Sequence, residues 1–302
     1  MFPIIPANSA TVSGNKEGIF GYGETGTQVS MTNLVSSAGV VATDVTGVGT
    51  ARQSLAACEY GEDKGIFGYG HASGPSNYQN VTNLVTNLGV VGTDVSGVGT
   101  ARYYLAAGGY GEDKGIFGFG AKAGTPTQTA VTNKVSNVGV VASDTSGVGT
   151  ARYRLAACEY GDDKGIFGFG QIQHPGAAYN NMTNLVSNTG VVASDTSGVG
   201  TARNVLAACS YGGDKGIFGF GNTGSATAIT NLVSNAGVVQ SDTAGVGTAA
   251  TGKSATQYGG DKGIFSFGSP AGSNLVSNAG VVSTDVTQVG TSRYLPGGCS
   301  FN

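Results

Sequence analysis

The sequence predicts an all-β fold, a six-bladed β-propeller with four-stranded blades, on three observations. First, a phrase close to DKGIFGFG occurs six times, its GIF glycines at Gly18, Gly65, Gly115, Gly165, Gly216 and Gly263, spaced 47, 50, 50, 51 and 47 residues apart. In a strand-rich chain a period near 50 residues is the length of one propeller blade. Second, each period alternates short β-branched or aromatic runs with Gly, Pro, Asn and Asp clusters, and no helical periodicity interrupts them. Third, the C-terminal phrase Thr291–Asn302 aligns without gaps on Thr201–Gly212, the opening of an internal period.

One period, from Arg102 to Ala151, supplies the elements in order. Arg102–Tyr110 (RYYLAAGGY) reads as a first strand of apolar and small residues, closed by the turn cluster Gly111-Glu112-Asp113. Lys114–Gly120 (KGIFGFG) is a second strand, in which Ile116 and two phenylalanines favour the extended chain and the glycines permit close sheet approach. A loop rich in Gly, Pro and Thr follows. Val131–Asn137 and Val140–Asp144 read as third and fourth strands joined by a tight turn at Val138-Gly139, and SGVGTA crosses to the next arginine. Such a unit cannot bury both faces alone, and six packed around an axis cover one another.

Residues 15–302 number 288, six units of 48. The C-terminal strand is therefore expected to complete the first blade and remove two open sheet edges. Residues 1–14 fall outside this count and read as an N-terminal arm, so the chain divides into that arm and one domain, 15–302.

Composition narrows the function. Charged residues make up only 11% of the chain against roughly 25% in average proteins, and the net charge is −3 with a pI near 5.3. A basic face for nucleic acid or anionic lipid is thus not expected, and no apolar run approaches the ~20 residues of a membrane span. The start, MFPIIPANSATVSG, lacks the basic and long apolar regions of a signal peptide, so synthesis in a cytoplasm without cleaved export is expected.

A small-residue strand, a strand ending in an aromatic and glycine, a variable loop, two further strands and a closing arginine together resemble the kelch-type β-propeller over residues 15–302. The chain departs from that pattern in having no tryptophan and in placing FGFG where a double glycine is usual. The regular GIFGFG and TNLVSNAGVV phrasing also resembles propeller proteins of tailed bacteriophages, which serve as tail or fibre components. That resemblance implies a non-enzymatic virion protein that contacts other particle proteins or sister subunits through residues 1–14 and a cell-surface glycan or protein through its loops. The alternatives are a glycan-acting enzyme of sialidase or lyase type, or a free lectin or adhesin at a cell surface or secreted.

Residues able to carry chemistry are few. Cys58, Cys158, Cys209 and Cys299 hold one place in the first strand, which Gly108 and Thr256 fill elsewhere, so small buried free thiols are expected, and no metal or cofactor. Arg52, Arg102, Arg152, Arg203 and Arg293 each follow an aspartate by eight residues: Asp44, Asp94, Asp144, Asp195 and Asp285. Five copies around a ring fit structural pairs better than a catalytic cluster, because a substrate meets only a few blades. The sixth copy keeps Asp242 but has Ala250, and Lys253 replaces the leucine of the other internal copies, so that unit is expected to be the weakest. The second-to-third loops vary while the framework does not, and variable loops on a rigid scaffold are where recognition resides. Tyr78, Gln79, Gln171, His174 and Tyr179 are the expected ligand contacts, being amphipathic aromatics and amides. Phe2, Ile4 and Ile5 form the expected attachment cluster of the arm.

Overall fold

The computed structural model describes residues 16–125, 127–173 and 178–301, and every regular element among them is a short antiparallel strand. The protein is all-β, built of small sheets whose register repeats. Lys114–Gly118, the second strand of its repeat, pairs on one edge with Ala106–Tyr110 and on the other with Thr132–Val135. The same order recurs about Lys164–Gly168, Lys215–Gly219 and Lys262–Ser266. Lys64–Ala72 is longer, and pairs with Ala56–Tyr60, Arg52–Gln53 and Tyr78–Val85. In the remaining sheet Gly18–Gly21 pairs with Thr32–Val35 and with the C-terminal strand Gly297–Ser300, which takes the place of a first strand.

The second strands are buried on both faces because successive side chains point to opposite sides of a sheet. Ile66 joins an apolar cluster with Leu105 and Phe117 of the following repeat, whereas Phe67 joins one with Ile19 and Tyr22 of the preceding repeat. Among the described residues six such clusters occur, each shared by two neighbouring sheets, and one of them joins Phe20 and Val35 to Tyr258 and Ile264 across the two ends of the chain. The glycines of the second strand follow from this packing. A Cβ at Gly68 would lie 2.7 Å from the Phe117 ring, and one at Gly115 would lie 2.5 Å from Cys58 Sγ.

Two expectations about strands are corrected. The first strand is not continuous. Arg102–Tyr103 pairs with Ala121–Lys122, Tyr104 turns to a positive φ of 53°, and a new strand runs from Ala106 to Tyr110. The turn aims the Tyr104 N–H at the Ser54 carbonyl of the preceding repeat (2.8 Å). Equivalent bonds run from Arg154 to Tyr104, Val205 to Arg154, Gly252 to Val205, Leu295 to Gly252 and Ser54 to Leu295, so the six form a cyclic relay. The fourth strand is reduced to isolated bridges such as Val135↔Val141 and Thr132↔Thr145. Here the Asn133 amide donates to the Ala142 carbonyl and to Asp144, replacing ladder bonds with side-chain ones.

The uniform YGEDK and NAG turns lie together at one end, where Gly61 stands against the Asn137 carbonyl. The second-to-third loops share the other end with the crossings, where Glu24 bridges Tyr294 and Asn204 bridges Asn222.

Candidate recognition surface

The repeated arginines lie beneath this loop-bearing end and do not reach solvent. Arg52 is fully buried. It donates from Nε to the Tyr69 carbonyl (2.8 Å) and from NH2 to Asn83 Oδ1 (2.7 Å), and it stacks 4.2 Å over the Tyr22 ring of the preceding repeat. Arg102, Arg152, Arg203 and Arg293 stack likewise on Tyr69, Phe119, Phe169 and Phe267. Burial lowers the affinity of Arg152, Arg203 and Arg293 for their protons to a pKa of about 10, which leaves them charged at neutral pH.

The aspartate each arginine meets lies near the end of its own repeat, not at the position eight residues before it, which belongs to the preceding repeat. Arg52 approaches Asp94 (4.0 Å), Arg102 Asp144 (3.7 Å), Arg152 Asp195 (3.7 Å), and Arg293 Asp44 (3.7 Å). Spacing in sequence pointed to the wrong partner because the crossing carries the chain from one sheet to the next between the two residues. Asp285, paired in sequence with Arg293, instead serves repeat six, where Thr248 binds it and Lys253 faces it.

In repeat six Lys253 occupies the cation's place. Its Nζ lies 4.8 Å over the Phe220 ring and donates to the Gly272 carbonyl (2.5 Å), while Ala250 is fully buried. Burial pulls the Lys253 pKa down to about 8.

Above the arginines the sixfold pattern breaks in repeats two to four. Tyr78 and Tyr103 stack face to face, with ring centres 4.7 Å apart and planes within 2°. His71 tilts against both, and Tyr104 extends the row toward Tyr153. Arg154 lies 4.5 Å over Tyr104 and 5.3 Å over Tyr153. Gln171 Oε1 accepts from Asn204 Nδ2 (2.7 Å) and faces Arg154 NH1 at 3.5 Å. Burial and the neighbouring Tyr78 push the Tyr103 hydroxyl up to about 12, so it remains a proton donor at every physiological pH.

Of the sequence-expected contacts, Tyr78 and Gln171 join this shelf. Gln79 lies beside it, held by Asn77 Oδ1 (2.6 Å), and Tyr179 pairs with Gln171 on its exposed margin. His174, Phe2, Ile4 and Ile5 lie outside the described residues. Sequence reasoning missed Tyr103, Tyr104, Tyr153 and Arg154, since it searched only the long loops. A usable sign was present: the two positions after the repeated arginine read Gln-Ser, Tyr-Tyr, Tyr-Arg, Asn-Val and Tyr-Leu in the five arginine-bearing copies, a variable pair inside a constant frame.

The first strands of all six repeats also line a narrow cavity of about 110 Å³, walled by Ala57, Ala107, Ala157, Ala208, Ala255 and Gly298. Beyond this row stand Glu59 and Glu159, with Ser210, Gln257 and Ser300. Burial, and then the nearby Glu59, push the Glu159 carboxyl well above the usual range, while Ser300 Oγ donates to Glu59 Oε2 (2.7 Å). Among the described residues no cluster of three or more His, Cys, Asp or Glu could hold a metal, and no helix is long and apolar enough to cross a membrane. The four cysteines are free and buried. No protein-family model matches the chain, and a search of curated proteins finds none similar to it.

Proposed function

We propose that the six sheets close into a six-bladed β-propeller and that the chain is a non-enzymatic binding module whose loop-bearing face recognises a glycan. Three features support the propeller: the cyclic relay through Ser54, Tyr104, Arg154, Val205, Gly252 and Leu295, the six apolar clusters each shared by two sheets, and the C-terminal strand paired into the N-terminal sheet.

The observation that carries the binding reading is the stacked Tyr78–Tyr103 pair with its Arg154 and Gln171 neighbours. Aromatic faces suit the C–H faces of sugar rings, and an amide with a guanidinium suits their hydroxyls. The five repeated arginines are buried and stacked on aromatic rings, out of reach of a ligand, which argues against a sialidase-like collar for a substrate carboxylate. A place in a phage particle, with residues 1–14 as the attachment segment, follows from the resemblance of the repeat phrasing.

The test is binding of the full chain to an immobilised panel of bacterial surface polysaccharides. Tyr103→Ala is expected to weaken binding by about tenfold or more, as expected for loss of a stacked aromatic worth about 1.4 kcal/mol or more. Undiminished binding by Tyr103→Ala, or no glycan bound by the unaltered chain, refutes the reading.

A further inference from the structure

Repeat six departs from its copies at three places, two of which, Lys253 and Gln288, line one cavity. Ala250 replaces the arginine, Lys253 replaces Leu55, Leu105, Leu155 and Leu206, and Gln288 stands where the other copies have Gly47, Gly97, Gly147, Gly198 and Gly245. At those glycines the second-to-third loop lies directly on the backbone. A Cβ at Gly47 would fall 2.1 Å from the Ser30 carbonyl carbon, and one at Gly147 would fall 2.4 Å from that of Ala130. A glutamine cannot occupy that space. In repeat six the loop is also the shortest of the six, SPAGS, and a cavity of about 300 Å³ opens among Lys253, Pro270, Gly272, Asp285 and Gln288. That size lies at the lower end of small-molecule sites, which run roughly 300–1,000 Å³.

The cavity's polar groups are specific. Gln288 has both amide atoms buried with no hydrogen-bond partner, an unfavourable state that is relieved only when a donor and an acceptor are supplied together. Lys253 uses one ammonium proton on the Gly272 carbonyl. Asp285 is held by Thr248 and by Asn274, so its carboxylate is fixed in direction. Lys253 and Asp285 have opposite charge, and the site therefore selects neither an anion nor a cation. Pro270 and Val286 add an apolar wall.

We propose that this cavity is a binding site for a single neutral sugar unit, with neighbouring hydroxyls held by Gln288 and Lys253 and a C–H face of the ring set against Pro270. A hydroxyl both donates and accepts, which is what the Gln288 amide requires. The site lies in a different repeat from the tyrosine shelf and does not depend on it.

The experiment is a nuclear magnetic resonance titration of the full chain with free glucose, galactose, mannose and N-acetylglucosamine. At least one sugar is expected to bind with a dissociation constant of about 1 mM, shifting the amide resonances of Ala271, Gly272 and Gln288. Gln288→Gly restores the residue carried by five copies and Lys253→Leu that carried by four. Each is expected to weaken binding by about tenfold. Undiminished binding by Gln288→Gly overturns the proposal. Should either variant fail to fold, the unaltered chain decides: no shift at those three amides with any of the four sugars means a solvent-filled gap, and the proposal falls. Because the readout is local to repeat six, its failure is distinguishable from failure of the tyrosine shelf.

Discussion

Asp44 accepts three hydrogen bonds from Thr291, two from its backbone N–H and one from its hydroxyl (2.6 Å), across 247 residues of chain. The same arrangement joins Thr50 to Asp94, Thr100 to Asp144, Thr150 to Asp195, Thr201 to Asp242 and Thr248 to Asp285. The chain ends are thus linked by the bond that links every other pair of repeats. Asp44→Ala is therefore expected to cost as much as Asp144→Ala, about 1–3 kcal/mol each, read from urea unfolding. A cost at Asp44 near zero, with Asp144 costly, would show that the ends merely touch. Deleting Arg293–Asn302 removes the strand paired with Gly18–Gly21 and is expected to lower the melting temperature of the whole domain and promote aggregation, since two sheet edges open.

The same six aspartates set the acid limit of stability. Burial alone would raise the pKa of Asp44, Asp94, Asp144, Asp195 and Asp242. The threonine and asparagine hydrogen bonds outweigh it and hold all five, and Asp285, below the ordinary 3.8. A carboxylate with a lowered folded pKa contributes its stability fully above the unfolded value and loses it as the pH falls through the folded one. Glu159, pushed upward, opposes this as a single group against six. Unfolding free energy is expected to fall steeply between about pH 4 and pH 2, with uptake of several protons. A flat profile across that window would refute the network's role.

The thiols set the alkaline limit. Burial pushes Cys209 up to about 12, and raises Cys58, Cys158 and Cys299 as well. For a group raised in the folded state the contribution is complete below the unfolded value, here 9.0, and is lost as the pH rises toward the folded one. Thiol reagents are expected to label the native protein only at the rate of global opening, and stability is expected to decline above about pH 9. Rapid labelling of any one cysteine at pH 7 would contradict its burial.

Much of this was legible in the sequence, and the exceptions have physical causes. The Cys58, Cys158 and Cys209 positions share a register opposite Ile66, Ile166 and Ile217, as a constant repeat requires. The partnership of Arg52 was not legible, because a pair formed between the first and last strands of one repeat leaves no trace in local spacing. The fourth strand read as regular because Val140 and Val141 favour extension, yet nothing in composition reports that Asn133 takes the Ala142 carbonyl. Tyr103 and Arg154 were hidden for a related reason: the turn at Tyr104 interrupts a stretch that alternation alone reads as one strand.

Repeat six offers the sharpest check on the buried arginines. Asn83, Asn133 and Asn184 accept from arginine at 2.6–2.7 Å, whereas Asn33, Asn231 and Asn274 Oδ1 are buried without a partner, and of these three only Asn274 belongs to a repeat that has no arginine to supply it. Lys253 restores a cation over Phe220 but makes no bond to that oxygen, and its own burial is unfavourable, as its pKa of about 8 records. The lysine is protonated in both states below pH 8. Between 8 and its ordinary 10.5 the unfolded chain binds more protons, so the unaltered protein gains stability from this group as the pH rises. The double variant Ala250→Arg, Lys253→Leu gives repeat six the residues of its neighbours. It is expected to be more stable by about 1–3 kcal/mol at pH 7, with a margin that narrows toward pH 10. Amide exchange in Lys262–Ser266, expected to be the fastest among the second strands of the unaltered chain, should slow to match Lys215–Gly219. A double variant less stable than the unaltered chain, or exchange already equal in the two strands, would show that the repeated arginine is not what secures each sheet to the next.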